Sequence, residues 1–417
     1  MMNEPIDRRR FLYQAAAGVG ALSAGLSAGC NENEPAPKPA GAQQQPVVLD
    51  EEPAGPRLPY KGPNVILVRF GGGVRRRETI DYPDKTFCPF VYKLGLEQGV
   101  LFKNVEIESG EGIETSHGQG TLYLLTGKYD HYEDITHKPF ADRFEAKIPT
   151  IFEYFRKRYD IPEHQALIVN GEDRINEEFY TFSNHHLFGV HYRSTVLSLY
   201  RFKTYLLRED LKNRSMPDSE RQQKEKVLQE MENQDYRVAD TKVVSPELNH
   251  FWAGWREYYG SSGLVNPRGD RLLTTLAIRA LKELRPKLLM INYQDTDYVH
   301  WGNPHFYTRA VSIIDDGIRE IYESVRGDDE YRDNTVFVVV PDCGRDNNRC
   351  MAVPFQHHFN SKSAHQVFAV LAGPGIDQPG VAVDKRHQQI SVAGTVGKLM
   401  NFPAPHVEGG CLEEALA

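Results

Sequence analysis

The chain has few cysteines, no long hydrophobic run and no excess of positive charge. Its 417 residues include only five cysteines, so beyond Cys30 at most two disulfides can form, with Cys343 and Cys350 as the short-range candidates. An uncharged stretch from Gln14 to Gly29 is about 15 residues long and poor in bulky side chains, which argues against a membrane-spanning helix. The formal net charge is -8, so no nucleic-acid partner is expected.

Spaced glycines and internal repeats are also missing. The first predicted strand is followed by the unbroken run Gly71, Gly72 and Gly73, and not by the spaced glycines that cradle a dinucleotide. This argues against a nucleotide-dependent oxidoreductase.

The amino-terminal segment resembles a bacterial export signal. Arg8 and Arg9 stand in "DRRRFL" before the uncharged stretch, as in the twin-arginine signals that direct folded proteins across the inner membrane. Cys30 ends "LSAGC", which resembles a lipoprotein processing site, although Ser27 stands where Leu is usual. We expect a protein of the periplasm or cell envelope that reaches the membrane through a lipid on Cys30. The alternative to lipid attachment is plain cleavage near Cys30. The simplest alternative to an export signal is a mobile basic tail.

Composition divides the chain into three parts. Residues 1–30 form the signal, and residues 31–62 are rich in Pro, Ala, Gln and Glu without hydrophobic periodicity, which predicts a disordered tether. Residues 63–417 form the folded domain. Within it, residues from about 175 to 265 change to long polar helices, which predicts a helical insertion.

Strand and helix patterns alternate through the folded part. Val- and Ile-rich runs predict strands at 64–70, 165–171 and 335–340, and a further strand starts at 287. Helical patterns lie between them, at 121–127, 148–159, 270–284, 305–325 and 389–402. This alternation predicts an α/β domain with a mostly parallel sheet that is covered on both faces.

Metal-ligand residue types follow the predicted strands. Asp295, Asp297 and His300 come after the strand at 287, and Asp342 and Cys343 follow "TVFVVVP". A third segment before the last long strand carries three histidines, His357, His358 and His365. The carboxyl ends of parallel strands meet at one edge of a sheet, so the sequence predicts a divalent metal site there. Oxygen and imidazole ligands together suit zinc, with calcium, magnesium and manganese as alternatives.

The order of these motifs resembles the alkaline phosphatase and sulfatase superfamily. "NVILV", "TSHGQGTLYLLTGKY", "DTDYVHWGN", "VVVPDCGRD", "QHH" and "FAVLAGPGI" follow one another between residues 64 and 402, outside the insertion. The resemblance implies an alkaline-phosphatase-like α/β/α sandwich, hydrolysis of a small anionic phosphate or sulfate ester, and one or two divalent metals at the carboxyl end of the sheet.

The resemblance also assigns metal ligands. Asp297, His300 and His358 match one metal pocket, with Asp295 as an alternative because the usual Asp-to-His gap is one residue longer. The second pocket is incomplete. Gly71 to Gly73 stand where the family has an Asp, and Asp342 with Cys343 replaces an Asp-His pair, although a cysteine thiolate can bind zinc.

The position of the nucleophile is altered as well. Counting back from Thr126 and Gly127, the resemblance puts the nucleophile, normally a Ser, Thr or modified Cys, at His117. A helix starts there, and a helix N-terminus favours an anion. His117 is expected to be a metal ligand or a direct nucleophile, or else a capping or core histidine. Ser116 or Thr115 would supply a hydroxyl after a small shift in register.

Two further clusters are candidates for contact with the site. Surface-loop histidines are common, but His185 and His186 in the insertion could reach it. Arg75, Arg76 and Arg77 form either a solvated turn or a binding patch for an anion. The sequence therefore predicts an exported, metal-dependent hydrolase of phosphate or sulfate esters with a partly degenerate active site. The alternative is a non-catalytic envelope lipoprotein that uses the same fold for binding.

Overall fold

The structure is a computed structural model that describes most of the chain. The described residues are 57–134, 144–171, 183, 185–188, 190–234, 245–261, 269–300, 303–346, 356–357 and 361–416. The predicted signal, most of the predicted tether and His358 lie outside them, as do the side chains of His185 and His186. Across the described ranges, no helix combines the length and apolar character needed to cross a membrane.

One large sheet forms the centre of the domain. Its strands are β1 (Asn64–Phe70), β2 (Gly99–Glu106), β5 (Ala166–Asn170), β6 (Thr195–Ser198), β7 (Leu288–Asn292), β8 (Thr335–Pro341), β9 (Gln366–Ala372), β10 (Val381–Val383) and β11 (His387–Gln388). The spatial order is β10-β2-β9-β8-β1-β7-β5-β6, and β11 pairs with β2. The pairings from β8 to β6 are parallel, whereas β9 is antiparallel to both β8 and β2. The short β3 (Glu133–Asp134) and β4 (Phe144–Glu145) pair separately.

Helices cover both faces of this sheet. They are α1 (Arg76–Thr79), α2 (Pro89–Lys93), α3 (His117–Thr126), α4 (Ile151–Arg158), α5 (His185–Phe188), α6 (Leu199–Leu211), α7 (Asp218–Gln234), α8 (Pro246–Tyr259), α9 (Asp270–Leu284), α10 (Pro304–Arg326), α11 (Lys362–His365) and α12 (Ser391–Leu399). Local signals explain several boundaries. Thr150 and Glu153 form a capping box at the start of α4, and Gly127 ends α3 in the left-handed conformation.

Two buried clusters share the side chains of the central strands. Ile66 and Val68 of β1 face a cluster built with α9 and α10, whereas Val65 and Leu67 face a cluster built with α3, α4 and α12. Successive strand residues point to opposite faces, and β1 is buried on both, so its sequence is apolar without alternation. The predicted α/β/α sandwich with a mostly parallel sheet is confirmed.

The segment predicted as a helical insertion contains α5, α6, α7 and α8, and it also contributes a strand. β6 pairs in parallel with β5, from Leu167 opposite Thr195 to Asn170 opposite Ser198, and forms the end of the sheet path. The β-branched residues Thr195 and Val196 favour this strand, but four residues give too short a pattern to separate from the helix that follows. The predicted boundaries of the insertion stay a prediction.

Candidate metal centre

The candidate ligands come from the carboxyl ends of two central strands, from the start of a helix and, for His357, from the segment before α11. Asp297 lies in the short 3-10 turn Asp295–Tyr298, which begins three residues after β7 ends, and Asp342 directly follows β8. His117 is the first residue of α3, and the Oγ of Ser116 accepts a hydrogen bond from the Gln119 amide at the same end. The parallel pairing of β7, β1 and β8 brings these ends to one edge of the sheet.

Three histidines converge on the Asp297 carboxylate. Its Oδ1 lies 2.6 Å from Nε2 of His117, 2.9 Å from Nε2 of His300 and 3.7 Å from Nε2 of His357. The rings of His117 and His357 are tilted against each other with centroids 3.9 Å apart. One ligand atom from each of the four residues lies within 4.8 Å of the others. Three imidazoles and a carboxylate are the donor set that zinc takes in proteins, so these residues fit a divalent metal.

Electrostatics keep the Asp297 carboxylate ionised. Burial raises the pKa of Asp297, but the charge of His117 and hydrogen bonds from His117, His300 and His357 outweigh burial, and the net pKa lies far below the ordinary value. Burial also opposes charge on His117, yet the carboxylates of Asp297 and Asp342 raise its pKa well above the ordinary value. Two carboxylates thus attract positive charge to the space between them, and a bound cation would satisfy the same attraction.

Asp342 faces protein donors from several directions. Its Oδ1 accepts the backbone amides of Gly73 and Cys343 at 3.1 and 2.8 Å, and its Oδ2 accepts the Gly72 amide at 3.2 Å. Oδ2 also lies 2.9 Å from Nδ1 of His117. Burial raises the pKa of Asp342, but His117 and Arg69 lower it to about 2. His117, Asp342 and Cys343 form a second group of ligand atoms within 4.8 Å of one another, so a second metal at these residues stays a prediction.

Cys343 is buried beside this carboxylate as a free thiol. Its Sγ lies 3.7 Å from Nδ1 of His117, and burial followed by the charge of Asp342 raises the pKa of the thiol to about 11. The thiol is thus protonated in the metal-free protein, whereas a bound divalent metal would displace its proton, so Cys343 as a metal ligand stays a prediction.

A buried arginine supplies the positive charge on the other side of Asp342. Arg69 is the sixth residue of β1, and its Nη2 lies 3.7 Å from Oδ2 of Asp342. The same guanidinium donates to Oγ1 of Thr121 at 2.8 Å and to the carbonyl of Tyr293 at 3.2 Å. A charged residue in an apolar strand was the sequence signal for this contact, and sequence reasoning missed it.

The glycine run after β1 has no room for the carboxylate that the family resemblance leads one to expect. A Cβ at Gly71 would collide with the Tyr293 carbonyl and with the Arg69 guanidinium. A Cβ at Gly72 would collide with Oγ1 of Thr296, and Gly72 also has a left-handed φ of 83°. Close backbone packing therefore requires glycine here.

The hydroxyls near His117 have structural partners. Oγ1 of Thr115 donates to the carbonyl of His357 at 2.5 Å, and Ser116 caps α3. Nδ1 of His357 lies 3.1 Å from the carbonyl of Thr115, so the two segments are linked twice. These contacts hold His357 against the start of α3 and engage both hydroxyls that the sequence offered as nucleophiles.

The remaining predicted residues fall in different places. Asp295 is outside both ligand groups, and its Oδ2 accepts the Asp270 amide at 3.1 Å. His365 is buried with Nδ1 3.0 Å from the Ile107 carbonyl, also outside both groups. In the arginine cluster, the partly buried Arg75 pairs with Glu78 at 2.7 Å and Arg76 pairs with Asp81 at 3.0 Å, whereas Arg77 is exposed.

His357 was the other residue missed at the ligand position. The sequence interpretation chose His358, which lies outside the described residues, so the choice of His358 stays a prediction. The described structure brings His357 close to Asp297. Two adjacent histidines in a loop give no periodicity from which the inward-facing one can be chosen.

Comparison with known proteins identifies the fold. No protein-family model matches the chain, and no curated protein does. Among solved structures, the alkaline phosphatase PafA aligns with a TM-score of 0.55 at 11% identity, covering 86% of this chain and 99% of that one. A protein in the alkaline phosphatase superfamily from Vibrio parahaemolyticus aligns with a TM-score of 0.51 at 14% identity, covering 89% and 75%. A 2-O GAG sulfatase aligns with a TM-score of 0.50 at 13% identity, covering 85% and 74%.

Proposed function

Because the chain has the fold of the alkaline phosphatase superfamily, with a ligand cluster at its carboxyl edge, we propose that it is a metal-dependent hydrolase of phosphate or sulfate esters. The observation that supports this most is the convergence of three imidazoles on Asp297 beside the start of α3. Asp297, His300 and His357 would hold one divalent ion, and that ion would supply a Lewis acid to polarise the ester. The preferred ion is zinc.

The start of α3 suits an anionic ester, and it also carries His117. The amides of the first helical turn lack partners within the helix, and the dipole directs its positive end toward the site, so this end of α3 attracts phosphoryl or sulfuryl oxygens. Asp342 holds His117 through Nδ1 and directs Nε2 into the ligand cluster. We propose that in the metal-loaded protein the positive charge between the two carboxylates no longer has to come from a proton on His117, so that Nε2 of the neutral ring can accept the proton of the attacking water while Asp342 stabilises the imidazolium that results.

The test is metal content and turnover of the purified mature protein. We expect about one metal per chain, and turnover of an aryl phosphate or an aryl sulfate that is lost on chelation and restored by the metal. Turnover that survives complete removal of the metal would contradict the proposal.

The role of Asp342 can be tested separately. Asp342→Asn keeps the shape but removes the charge that orients His117, so kcat should fall about 10- to 100-fold while one metal remains bound. Asp316→Asn, on the exposed side of α10, is the control for an Asp-to-Asn change and should leave kcat unchanged. Equal kcat in the Asp342→Asn protein and the unaltered protein would remove His117 from the mechanism.

A non-catalytic binding protein is the second candidate. Nε2 of His117 lies within ligand range of the other three donors, so it can complete a four-ligand shell with no open position. The hydroxyls of Thr115 and Ser116 are engaged elsewhere. Stoichiometric metal without turnover of either ester would favour this candidate.

We further propose the location of the protein from the amino-terminal residues. The twin arginines Arg8 and Arg9 favour export across the inner membrane, and Cys30 favours attachment to the membrane through a lipid. The substrate would then be a small anionic ester in the periplasm or cell envelope.

A further inference from the structure

A cavity opens near the amino ends of the parallel strands, at the end of the sheet opposite to the metal centre. It has a volume of about 520 Å³, and its polar lining comes from Arg57, Arg156, Asp160, His191 and Tyr192. Asp160 precedes β5, and His191 and Tyr192 precede β6, so the cavity lies at the amino ends of these parallel strands. The metal centre lies beyond the carboxyl ends, about 15 Å or more away along five-residue strands. The two sites are therefore separate.

Arg156 is the buried charge in this cavity. It lies on α4, and only 7% of its surface is exposed. Its Nη1 donates to the carbonyl of Arg193 at 2.5 Å, whereas its Nε has no hydrogen-bond partner among the described residues. No described carboxylate lies within ion-pair distance of it, so a guanidinium points into the cavity without a counter-ion.

The surroundings of Arg156 add positive charge. Burial, followed by the charges of Arg193 and Arg57, lowers the pKa of Arg156 to about 10, although Glu163 and Glu153 act in the opposite direction. The side chain therefore stays protonated at neutral pH. At the rim, Arg57 pairs with Asp160 at 2.8 Å and is itself 37% exposed, so this second guanidinium is accessible to a ligand.

A buried guanidinium without a counter-ion is costly unless a ligand supplies the missing charge. Its planar donors match the paired oxygens of a carboxylate, phosphate or sulfate group. His191 and Tyr192 also line the cavity, and both side chains can donate hydrogen bonds. We propose that this cavity is a binding site for a small oxyanion, with Arg156 as the central ligand-binding residue and Arg57 at the entrance.

The oxyanion has two possible sources. One is a phosphate- or carboxylate-bearing small molecule from solution. The other is the chain itself, because the acidic residues Asp50, Glu51 and Glu52 precede Arg57 closely in the sequence. Both sources use the same chemistry, and titration with a defined probe separates them.

The experiment is calorimetric titration of the full chain with inorganic phosphate after the metal has been removed. Arg156→Met removes the buried charge and keeps the length of the side chain, whereas Arg158→Met removes an exposed charge from the same helix outside the cavity. We expect the unaltered protein and Arg158→Met to bind phosphate, and Arg156→Met to bind it at least tenfold more weakly. Measurable phosphate binding of equal affinity in all three proteins would overturn the proposal.

Two further experiments cover the cases in which Arg156→Met does not fold or the acidic segment fills the cavity. If Arg156→Met does not fold, Arg57→Met changes the rim without altering the core, and it should weaken phosphate binding by severalfold. If the acidic segment fills the cavity, the unaltered protein should not bind phosphate, whereas Asp50→Asn/Glu51→Gln/Glu52→Gln should bind it in a manner that depends on Arg156. Absence of binding in both the unaltered and the triply substituted protein would also overturn the proposal.

Discussion

His357 illustrates how a single side chain defines the candidate metal centre. Replacing His357 by Ala removes one of three imidazoles around Asp297, so metal affinity should fall about 100-fold or more. At a metal concentration 100 times the Kd of the unaltered protein, the stabilisation by metal would then fall from about 2.7 to about 0.4 kcal/mol. The measurement is the shift in Tm on addition of zinc.

The effect of His357→Ala is compared with that of substitutions at two other histidines. His305 is exposed at the start of α10, so His305→Ala should leave the zinc-dependent shift unchanged. His358→Ala tests the ligand predicted from the sequence. If His358→Ala abolishes the shift and His357→Ala does not, the ligand at this position is His358.

The residue identities at the site were only partly predictable from the sequence. Asp297 and His300 follow a recognisable strand at short spacing, and this was enough to select them as candidates. The contact between Arg69 and Asp342 joins residues that are 273 positions apart in the numbering, and no local pattern encodes it. The choice between His357 and His358 depends on the path of a loop, which periodicity does not describe.

At the scale of elements, the packing of α3 against the end of β8 positions His117. Gly120 lies one turn into α3, and a Cβ there would collide with the Asp342 carbonyl. An exposed helical Gly→Ala change stabilises a protein by about 1 kcal/mol, but Gly120→Ala should instead destabilise it by about 1–3 kcal/mol, because α3 must move away from β8. The same movement displaces His117, so zinc affinity should fall. Urea unfolding and zinc titration measure the two effects.

Gly254 provides the matched control for this change. It lies within α8, where a Cβ would approach only Arg279 Nη2 at 3.4 Å and Glu283 Oε2 at 3.6 Å, both at the ends of flexible side chains. Gly254→Ala should therefore be neutral or stabilise the protein by up to about 1 kcal/mol. If both substitutions stabilise the protein equally, close packing of α3 on β8 does not hold the site.

A carboxylate on α10 caps a different helix. Asp315 accepts the backbone amides of Phe90 and Val91 at 3.0 and 2.8 Å, at the start of α2, where Cys88 offers no side-chain cap. Burial raises the pKa of Asp315 to about 6, and the two amides offset burial only in part. Between pH 4 and pH 6 the folded protein therefore holds a proton that the unfolded chain has released.

This difference makes stability fall as pH rises through that range. The unfolded chain binds fewer protons there, so the free energy of unfolding should decrease by about 1–3 kcal/mol between pH 4 and pH 7 owing to Asp315. Asp315→Asn should lack this decrease, whereas Asp316→Asn, an exposed neighbour, should keep it. Urea midpoints of the three proteins at both pH values are the measurement. A constant difference between the unaltered and Asp315→Asn proteins would contradict the assigned pKa.

The long elements of the fold were predictable because their patterns are long. β1 and α9 match the predicted ranges 64–70 and 270–284, and α10 matches its prediction within a residue at each end. The four-residue β6 was missed because its place in the sheet depends on pairing with β5 and not on local periodicity. Short strands of this kind are defined by tertiary contacts.

At the scale of the whole molecule, the two ends of the parallel strands differ in charge. Asp297 and the imidazoles lie near the carboxyl ends and attract a cation. Arg57 and Arg156 lie near the amino ends and attract an anion. The central strands separate the two sites, so substitutions at one end should leave ligand affinity at the other unchanged. Zinc affinity in Arg156→Met is the corresponding control.

The amino-terminal signal leads to the last prediction, which concerns where the folded protein is located. Replacing Arg8 and Arg9 together by Lys preserves charge but removes the arginine pair that the twin-arginine machinery recognises, so the precursor should accumulate in the cytoplasm. Cys30→Ser should still be exported, but it should move from the membrane fraction to the soluble periplasmic fraction, because no lipid can be attached. Fractionation and immunoblotting measure both outcomes. An unchanged periplasmic yield of the double-Lys protein would show that export does not depend on the arginine pair.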